Sequence, residues 1–455
     1  MKTSCVIKFR NGDLRLLRER LLEDLSHEYF AILLGKRRNI GGKTIITIHD
    51  IKIPGIRDYN GQSVASLNIK KGFVHQALGE LTNRSDVDTM IDVHTHPFSK
   101  AGVAFSGVDD GDEKRFFRFL KEKFDNIHYA SIVFSQGEYS ARLWSFKKRQ
   151  ILAEKAVIKT QISSERILSS NYNSQNEDKS VNHEIFNRSI LALGLDTMRH
   201  IMKTQTVTVV GVGGLGSVIA EHLVHTGFPK LNLIDFDRLE ISNLNRIVGA
   251  TYEEAKRGSF KVDAVKRHLV SINPGVQVSN YALDVSDKRV EEVIALSDWL
   301  IVATDSHSSR FKCQELSVKY FVPMISAGVN ITVEDGGIKD MSGEVITSRI
   351  GDNLCLNCLG RVNYIKVGQE THPDKFVSSE LVKRGYVTGM DVKEPAVKTL
   401  NTFLGTMAVE VLVNQYTERQ RHVPILVFES NGSMAIYEDR ESVDARHKDC
   451  FTCNV

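Results

Sequence analysis

Short apolar segments separated by charged residues run through the first 150 residues. Leucines recur at helical spacing within residues 14–26, and a second helical pattern covers 110–124, so both segments are predicted helices. Apolar runs of strand length predict four strands, at residues 30–34, 44–51, 89–96 and 129–135. This mixture predicts a compact mixed α/β domain.

The second half of the chain has a different pattern. A segment at 169–180 that is poor in aliphatic residues and rich in Ser, Asn and charge has the composition of a linker. Beyond it, predicted strands alternate with predicted helices: strand 206–210, helix 217–226, strand 231–235, helix 261–271, strand 299–304, helix 309–320 and strand 324–327. Such alternation predicts a mostly parallel sheet covered on both faces. We therefore expect an α/β protein with domains at 1–150 and 183–455, joined by a polar linker at 151–182.

Composition narrows the class of protein. A chain of 455 residues with 42% hydrophobic residues is long enough for more than one core. Its formal net charge of +3 is too balanced for a nucleic acid or an anionic membrane to be the main partner. The chain has no apolar run of membrane-spanning length, and Arg10, Asp13 and Arg15 interrupt the start where a signal peptide is apolar. We expect a cytoplasmic protein, whose six cysteines are metal ligands or catalysts before they are disulfides.

Two histidines on a predicted strand indicate a metal site in the first domain. His94 and His96 lie two residues apart, so both imidazoles point to the same face of the strand. Asp109, at the start of a predicted helix, is a third candidate ligand. Two histidines and a carboxylate leave one position open, as in catalytic zinc sites, where the pKa of water falls to about 7. Glu28, directly before a predicted strand, is the best candidate for the general base.

This set of residues resembles the motif of the JAMM (JAB/MPN) metalloproteases, with Glu28 seven residues before Gly35, then His94-Thr-His96-Pro97, then Ser106 three residues before Asp109. The resemblance implies a cytidine-deaminase-like fold and zinc held by His94, His96 and Asp109. It implies that Glu28 is the general base and that Ser106 supports the oxyanion. Family members cut isopeptide or peptide bonds after the C-terminal glycine of ubiquitin-like proteins. The gap from His96 to Ser106 is two residues longer than in the family motif.

Each of these features alone also has a structural interpretation. Ser106 and Asp109 have the spacing of a capping box for the helix that follows. A single His-x-His pair is usually part of a surface strand, and a single glutamate is usually solvated. Their combination in this order favours an active metallopeptidase over a metal-free relative.

A glycine-rich turn indicates a nucleotide site in the second domain. Gly211, Gly213, Gly214 and Gly216 directly follow an apolar strand and directly precede a helix, where backbone NH groups can hold phosphate. Asp235 ends the next strand, at the place of the carboxylate that binds ribose in a Rossmann fold. A nicotinamide-dependent dehydrogenase has the same features.

Further polar residues favour ATP over a nicotinamide cofactor. Asn243, Arg246 and Lys261 form a set that suits a triphosphate and its leaving pyrophosphate. Asp305 follows a predicted strand at its carboxyl end, where it can hold Mg²⁺. Arg188 precedes the first strand of this domain and can reach a phosphate as an arginine finger.

These residues look like those of the ThiF/MoeB branch of the ubiquitin-activating enzyme superfamily, over about 186–453. The resemblance implies a Rossmann-like domain in which a protein's C-terminal carboxylate attacks the α-phosphate of ATP, giving an acyl-adenylate and pyrophosphate. It assigns ribose to Asp235, phosphates to Asn243, Arg246 and Lys261, Mg²⁺ to Asp305, and action across a homodimer to Arg188.

Two CxxC pairs, Cys355 with Cys358 and Cys450 with Cys453, predict a structural zinc held by four thiolates, as in ThiF/MoeB proteins. A redox dithiol is the alternative. Residues 359–449 contain no cysteine, which excludes a thioester on a crossover loop. We expect the adenylate to pass to a sulfur donor, to the cysteine of a partner such as a conjugating enzyme, or to an oxygen nucleophile within 376–387.

We therefore predict a bifunctional bacterial enzyme for a ubiquitin-like or sulfur-carrier-like protein that ends in glycine. One half hydrolyses the bond after that glycine, and the other adenylates the carboxylate with ATP, Mg²⁺ and no crossover-loop cysteine. One alternative is a ThiF-type adenylyltransferase for sulfur-carrier or peptide modification with an accessory protease. Another is a non-catalytic scaffold that binds a ubiquitin-like protein.

Overall fold

The structure is a computed structural model that describes residues 5–63, 66–100, 102–147, 150–160, 183–372, 395–447 and 449–453. The chain divides into two compact units, Met1–Glu177 and Asp178–Val455. Most of the predicted linker, 161–182, and the segment 376–387 lie outside the described residues. Within the described ranges, no helix has the length and apolar character needed to cross a membrane.

The first unit is built around a barrel. Its described elements are β1 (Cys5–Lys8), α1 (Asp13–Leu21), β2 (Phe30–Ile40), β3 (Lys43–Lys52), β4 (Tyr59–Ser63), β5 (Ser66–Ile69), α2 (Lys71–Asn83), β6 (Thr89–Thr95), α3 (Gly107–Lys123), β7 (His128–Phe134), β8 (Tyr139–Lys147) and β9 (Gln150–Lys159). Seven strands close the barrel in the order β1-β3-β2-β6-β7-β8-β9, and β4 pairs with β5 in a separate hairpin.

The two faces of β6 pack into different cores. Ile91 and Val93 belong to a buried cluster that includes α1, whereas Met90 belongs to one that includes Phe117 of α3. Because side chains alternate along a strand, His94 shares the face of Met90. The pattern of β6 therefore directs His94 toward the side on which α3 packs.

Two predicted boundaries in this unit differ from the structure by five residues or more. Helix α1 ends at Leu21 instead of residue 26, because Asp24 accepts a hydrogen bond from the Ser26 backbone at 2.8 Å and forms a turn. Strand β2 continues past residue 34 to Ile40, with polar residues that no apolar run indicates. It turns into β3 through Gly41 and Gly42, whose φ angles are 54° and 72°.

The first unit also extends beyond residue 150, where we predicted the linker to begin. Strand β9 occupies Gln150–Lys159 and pairs with β8 antiparallel and with β1 parallel. These two pairings close the barrel. The sequence of β9 mixes charged and apolar residues because eight of its ten positions lie at least partly in solvent, so it has the composition of a linker without being one.

The second unit contains a large sheet and its covering helices. Its described elements are α4 (His183–Leu193), α5 (Leu195–Thr204), β10 (Thr206–Val210), α6 (Gly214–Thr226), β11 (Lys230–Ile234), α7 (Tyr252–Lys256), α8 (Lys261–Ile272), β12 (Gln277–Tyr281), α9 (Lys288–Ala295), β13 (Trp299–Val302), α10 (His307–Tyr320), β14 (Met324–Glu334), β15 (Gly337–Ser348), α11 (Tyr364–Glu370), α12 (Lys398–Thr417), β16 (Ile425–Asn431), β17 (Ser433–Glu438) and α13 (Arg440–Asp444).

The sheet of this unit is only partly parallel. Its order is β12-β11-β10-β13-β14-β15-β16-β17, and its first five strands are parallel. Four of these five were predicted, whereas β12 was not. The last three strands are antiparallel and were not predicted from the sequence. The turn between β14 and β15 carries Asp335 and Gly336 with φ angles of 50° and 76°, a turn of the type that joins hairpin strands.

The strand order reverses at β10, which lies between β11 and β13. The strands β10 and β13 end together, since Ala303 donates a backbone hydrogen bond to Val210 at 2.9 Å. In open parallel sheets, ligands bind outside the carboxyl ends of the strands at such a reversal. The loops that begin at Gly211 and Ala303 therefore meet at the expected nucleotide position.

Candidate functional sites

The three predicted zinc ligands of the first unit lie together. His94 and His96 come from the end of β6, and Asp109 comes from the first turn of α3. Their ligand atoms all lie within 4.8 Å of one another. The Nε2 atom of His94 is 3.5 Å from Oδ1 of Asp109, and Nε2 of His96 is 3.8 Å from Oδ2. The three side chains thus face one point from a strand and a helix.

Glu28 lies beside this cluster, with Oε1 at 4.0 Å from Nε2 of His96. The backbone of the next residue, Tyr29, accepts a hydrogen bond from the Thr95 backbone at 3.1 Å and donates one to the Thr95 hydroxyl at 2.9 Å. These bonds fix the chain after Glu28 against the end of β6. Burial and the charge of Asp109 raise the pKa of Glu28 against the lowering effect of His94, so its carboxylate is a stronger base than one in water.

The donor set fits a zinc ion. The buried Nε2 atom of His94 has no hydrogen-bond partner among the described residues, which is costly unless a ligand takes that place. Burial and the neighbouring His94 lower the pKa of His96, which favours the neutral imidazole that binds metals. Burial acts to raise the pKa of Asp109, but His94 and hydrogen bonds with Ser106 outweigh it and hold the carboxyl ionised.

Ser106 forms the capping box that its spacing also indicates. Its hydroxyl accepts a hydrogen bond from the Asp109 backbone at 3.2 Å, and its backbone NH donates to Oδ2 of Asp109 at 2.6 Å. The cap begins α3 and orients the Asp109 carboxylate. The oxyanion role of Ser106 stays a prediction.

Three glycines of the nucleotide turn differ in what surrounds them. A Cβ at Gly211, where φ is 85°, would lie 2.6 Å from the carbonyl oxygen of Ala303. A Cβ at Gly216 would lie 1.8 Å from the carbonyl oxygen of Gly211. By contrast, nothing lies within 4 Å of a Cβ at Gly213, which is the N-cap of α6. Packing therefore requires Gly211 and Gly216, whereas Gly213 leaves open space at a helix start that suits a phosphate.

Gly214 brings an unexpected residue to this turn. A Cβ there would lie 2.5 Å from Nδ2 of Asn401 and 3.0 Å from the side chain of Arg246. Asn401 lies on α12 and is only 3% exposed. Neither this helix nor its asparagine was predicted from the sequence. No signal marks Asn401 in the sequence, because the same helix also carries Thr402, Thr406 and Glu410 among its apolar residues.

Two of the predicted nucleotide residues, Asp235 and Lys261, already have partners within the protein. Asp235 accepts hydrogen bonds from the backbones of Val212 at 2.7 Å and Asp237 at 2.9 Å. Burial raises the pKa of Asp235, partly offset by the charge of Lys261. Lys261 itself pairs with Oδ2 of Asp237 at 2.6 Å. These contacts hold the carboxylate and the ammonium group at the edge of the sheet.

Asn243 and Arg246 are held by local contacts. The side-chain oxygen of Asn243, which is 7% exposed, accepts a hydrogen bond from the Glu240 backbone at 3.1 Å. The Nη1 atom of Arg246 donates to the Ser242 carbonyl at 2.9 Å and to the Asn245 side chain at 3.0 Å. A phosphate contact by Arg246 can therefore use the donors of its Nε and Nη2 atoms while these hydrogen bonds remain.

Asp305 and Arg188 are exposed. Asp305 follows β13 at the carboxyl edge of the sheet, and it has no hydrogen bond or ion pair within the part of the chain that is described. Arg188 lies on α4, likewise without a described partner. The position of Asp305 suits a cation ligand. The magnesium and arginine-finger roles stay predictions.

The four cysteines of the CxxC pairs meet in the fold. All four are buried, and their sulfurs lie within 4.8 Å of one another. The Sγ atoms of Cys355 and Cys450 are 3.7 Å apart, and the Cys355 backbone donates to Sγ of Cys358 at 3.1 Å. Hydrogen bonds from Cys355 and Cys453 lower the pKa of the Cys358 thiol. Four thiols, free of disulfides, fit the donor set of a structural zinc.

Comparison with known proteins identifies the second unit. The profile of the ThiF family matches residues 186–451, which is more than half of the chain. The chain belongs to the ThiF family. The ThiF part of the sequence prediction is confirmed, whereas the JAMM part stays a prediction.

Two curated relatives are similar to the ThiF part of the chain. "Ubiquitin-like modifier-activating enzyme 5" of Drosophila willistoni is 30% identical over 173 residues, which cover 34% of this chain and 39% of that protein. "Molybdopterin-synthase adenylyltransferase" of Salmonella typhimurium is 30% identical over 179 residues, which cover 39% of this chain and 68% of that protein. The chain thus spans about two fifths of the first relative's length.

A solved structure, that of E. coli MccB, is also similar to this chain. It is 18% identical and has a TM-score of 0.45, covering 62% of this chain and 74% of that one.

Proposed function

We propose that this chain is a bifunctional enzyme for a ubiquitin-like or sulfur-carrier-like protein that ends in glycine. The second unit adenylates the C-terminal carboxylate with ATP and Mg²⁺. The first unit hydrolyses the bond after the terminal glycine, for tail processing or deconjugation, in the manner of a JAMM metallopeptidase. The cysteine cluster of the second unit holds a structural zinc. The setting that we propose is the bacterial cytoplasm.

The observation that carries the adenylation proposal is the open space at Gly213 in a chain of the ThiF family. A carboxylate oxygen of the protein substrate attacks the α-phosphorus of ATP, and the bond from that phosphorus to the bridging oxygen of pyrophosphate breaks. Arg246 and Lys261 would neutralise the departing charge, once Lys261 exchanges Asp237 for phosphate. Asn243 would donate its amide to a phosphate, Asp235 would accept from the ribose, and Asp305 would hold Mg²⁺.

The printed names of the relatives support the substrate class. One relative is named for activating a ubiquitin-like modifier and another for adenylating molybdopterin synthase. Both names describe activation of a protein. We infer the same class of substrate here, with Arg188 acting across a homodimer. A sulfur donor or a conjugating enzyme would receive the activated chain, because residues 359–449 offer no cysteine.

The hydrolysis proposal rests on the convergence of His94, His96 and Asp109, which would hold zinc. Zinc in such a site supplies Lewis acidity and makes water a nucleophile at neutral pH. Glu28 would take the proton of the attacking water on its Oε1 atom and return it to the leaving amine. The hydroxyl hydrogen of Ser106 remains available to the developing oxyanion, because Ser106 Oγ uses its lone pair in the helix cap.

The test separates the two activities with one conservative change in each unit. Glu28→Gln is expected to slow cleavage of a glycine-linked tail by about 10²–10⁴-fold, since it removes the base, and to leave ATP–pyrophosphate exchange unchanged. Asp305→Asn is expected to slow exchange by about 10²–10³-fold and to leave cleavage unchanged.

Exposed carboxylates that we assign to neither site serve as matched controls. Glu122→Gln on α3 and Glu292→Gln on α9 are each expected to retain both activities. Equal loss of both activities in either site variant would contradict two independent sites. Normal exchange in Asp305→Asn would remove Asp305 from the magnesium role.

A ThiF-type modification of peptides is the second candidate, favoured by the same absence of cysteine from 359–449. It predicts exchange that is stimulated by short peptides as strongly as by a folded protein ending in Gly-Gly. A dependence on the folded protein alone would exclude it.

A further inference from the structure

Glu113 ties helix α3 to the barrel close to the proposed zinc ligands. It lies one helical turn after Asp109 and is 7% exposed. Its Oε2 atom accepts hydrogen bonds from Trp144 Nε1 at 2.9 Å, from Arg142 Nε at 3.0 Å and from the Ser131 hydroxyl. A buried carboxylate with three donors is held in one place. The helix is therefore joined to both β7 and β8.

Arg142 makes a second connection to the same region. Its guanidinium pairs with Asp110, the residue after Asp109. It also lies 3.7 Å from the centre of the Phe105 ring, which in turn meets the ring of His94 edge-on at 6.0 Å. Arg142, whose side chain is 11% exposed, thus contacts neighbours of two proposed ligands, one on α3 and one on β6.

The contacts of Glu113 and Arg142 fix the position of α3 relative to β6, which the helix cap alone does not do. The cap of Ser106 orients Asp109 on α3, but it does not fix the distance of α3 from β6. The strands β6 and β7 are adjacent. Ser131 of β7 lies opposite Asp92 of β6, which is two residues before His94 and on the same face of the strand. Metal sites tolerate errors of only about 0.2 Å in ligand distance. The contacts of Glu113 and Arg142 set the separation on which the ligand distance depends.

We propose that Arg142 is a positioning residue for the zinc site: with Glu113 it holds α3 and Phe105 so that Asp109 and His94 meet one metal ion. This inference rests on the proposed zinc site of the first unit. The planar guanidinium of Arg142 contacts Asp110, Glu113 and the face of the Phe105 ring at the same time. A lysine ammonium cannot make these three contacts together.

The test compares Arg142→Lys with Arg84→Lys in the full-length chain. Arg84 is a matched control, because it pairs with Asp50 and Asp86 in the same unit. Zinc affinity is measured by competition with a chelator, and the absorption spectrum is recorded after Co²⁺ replaces zinc. His94→Ala identifies which equivalent of metal belongs to this site and which to the cysteine cluster.

We expect Arg142→Lys to weaken the His94-dependent equivalent by about 10- to 100-fold and to change its Co²⁺ spectrum, while Arg84→Lys changes neither. A wild-type affinity and spectrum in Arg142→Lys would assign Arg142 to packing alone and overturn the proposal. Should Arg142→Lys not fold, Glu113→Gln is judged by the same criteria, because it keeps the shape and an acceptor oxygen. A wild-type chain without any His94-dependent metal would instead remove the proposed zinc site itself.

Discussion

The two candidate sites differ in how far their side chains already face a ligand. In the first unit, His94, His96 and Asp109 point at one place, and the buried Nε2 atom of His94 has no hydrogen-bond partner among the described residues. In the second unit, Lys261 and Asp235 are engaged with other parts of the protein. The candidate metal site is thus formed in advance, whereas the candidate nucleotide site would exchange internal contacts for those of a ligand.

This difference follows from where the residues lie. The candidate metal ligands lie at the end of a barrel strand and in the first turn of a capped helix, which hold them at fixed angles. The candidate nucleotide residues Asp235 and Arg246 lie in the segment after β11, and Lys261 is the first residue of α8. Residues in loops and at helix ends can change their hydrogen bonds at low cost. Rigid placement suits an ion with strict ligand distances, and adaptable placement suits a flexible triphosphate.

The largest expected effect distinguishes two glycines of the nucleotide turn. Gly216→Ala places a Cβ against the Gly211 carbonyl and is expected to cost at least about 3 kcal/mol of unfolding free energy and to abolish exchange. Gly213→Ala is expected to leave the melting temperature unchanged while raising the KM for ATP by about 10-fold, because its Cβ enters only ligand space. Thermal unfolding and exchange kinetics measure both, and equal melting temperatures for the two variants would contradict the division of roles.

A smaller effect tests whether the metal site is formed in advance. Ser106→Ala removes the hydroxyl that caps α3, which costs about 1 kcal/mol, and is expected to weaken zinc binding by about 5-fold. Ser106→Thr keeps the cap and serves as the control. Chelator competition compares the three proteins. Unchanged affinity in Ser106→Ala would show that the Asp109 orientation does not depend on the cap.

The smallest effect tests the internal pairing of the nucleotide site. Asp237→Asn removes the partner of Lys261 and is expected to lower the KM for ATP by up to about 5-fold, because phosphate no longer competes with a carboxylate. Raised salt is expected to reduce the difference. A higher KM in this variant would mean that Asp237 orients Lys261 for the phosphate instead of competing with it.

The spacing of motif residues predicted the candidate sites better than the periodicity of apolar residues predicted the strands. His94, His96, Asp109 and the four cysteines were found because their residue types have few other uses at such spacings, and the structure brings each set together. Strand β9 escaped prediction, since its partly solvated positions mix charged and apolar residues. At Asn243 the sequence cannot distinguish a capping residue from a ligand-binding one. In the structure, the Asn243 side chain accepts a hydrogen bond from the Glu240 backbone in a short turn.

The side-chain contacts that join separate helices and strands could not be predicted from the sequence either. Nothing in the spacing of Glu113, Ser131 and Arg142 indicates that they meet, because the barrel alone brings α3, β7 and β8 to one place. Asn401 reached the glycine turn in the same way, through the packing of α12 on α6.

The central claim is that one carboxyl terminus is released by the first unit and adenylated by the second. ATP–pyrophosphate exchange tests it directly, with a β-grasp sulfur-carrier protein made in two forms, one ending in Gly-Gly and one extended beyond it. We predict that wild-type chain supports exchange with both forms, and that Glu28→Gln supports it only with the form ending in Gly-Gly. Equal exchange by Glu28→Gln with the extended form would contradict the account.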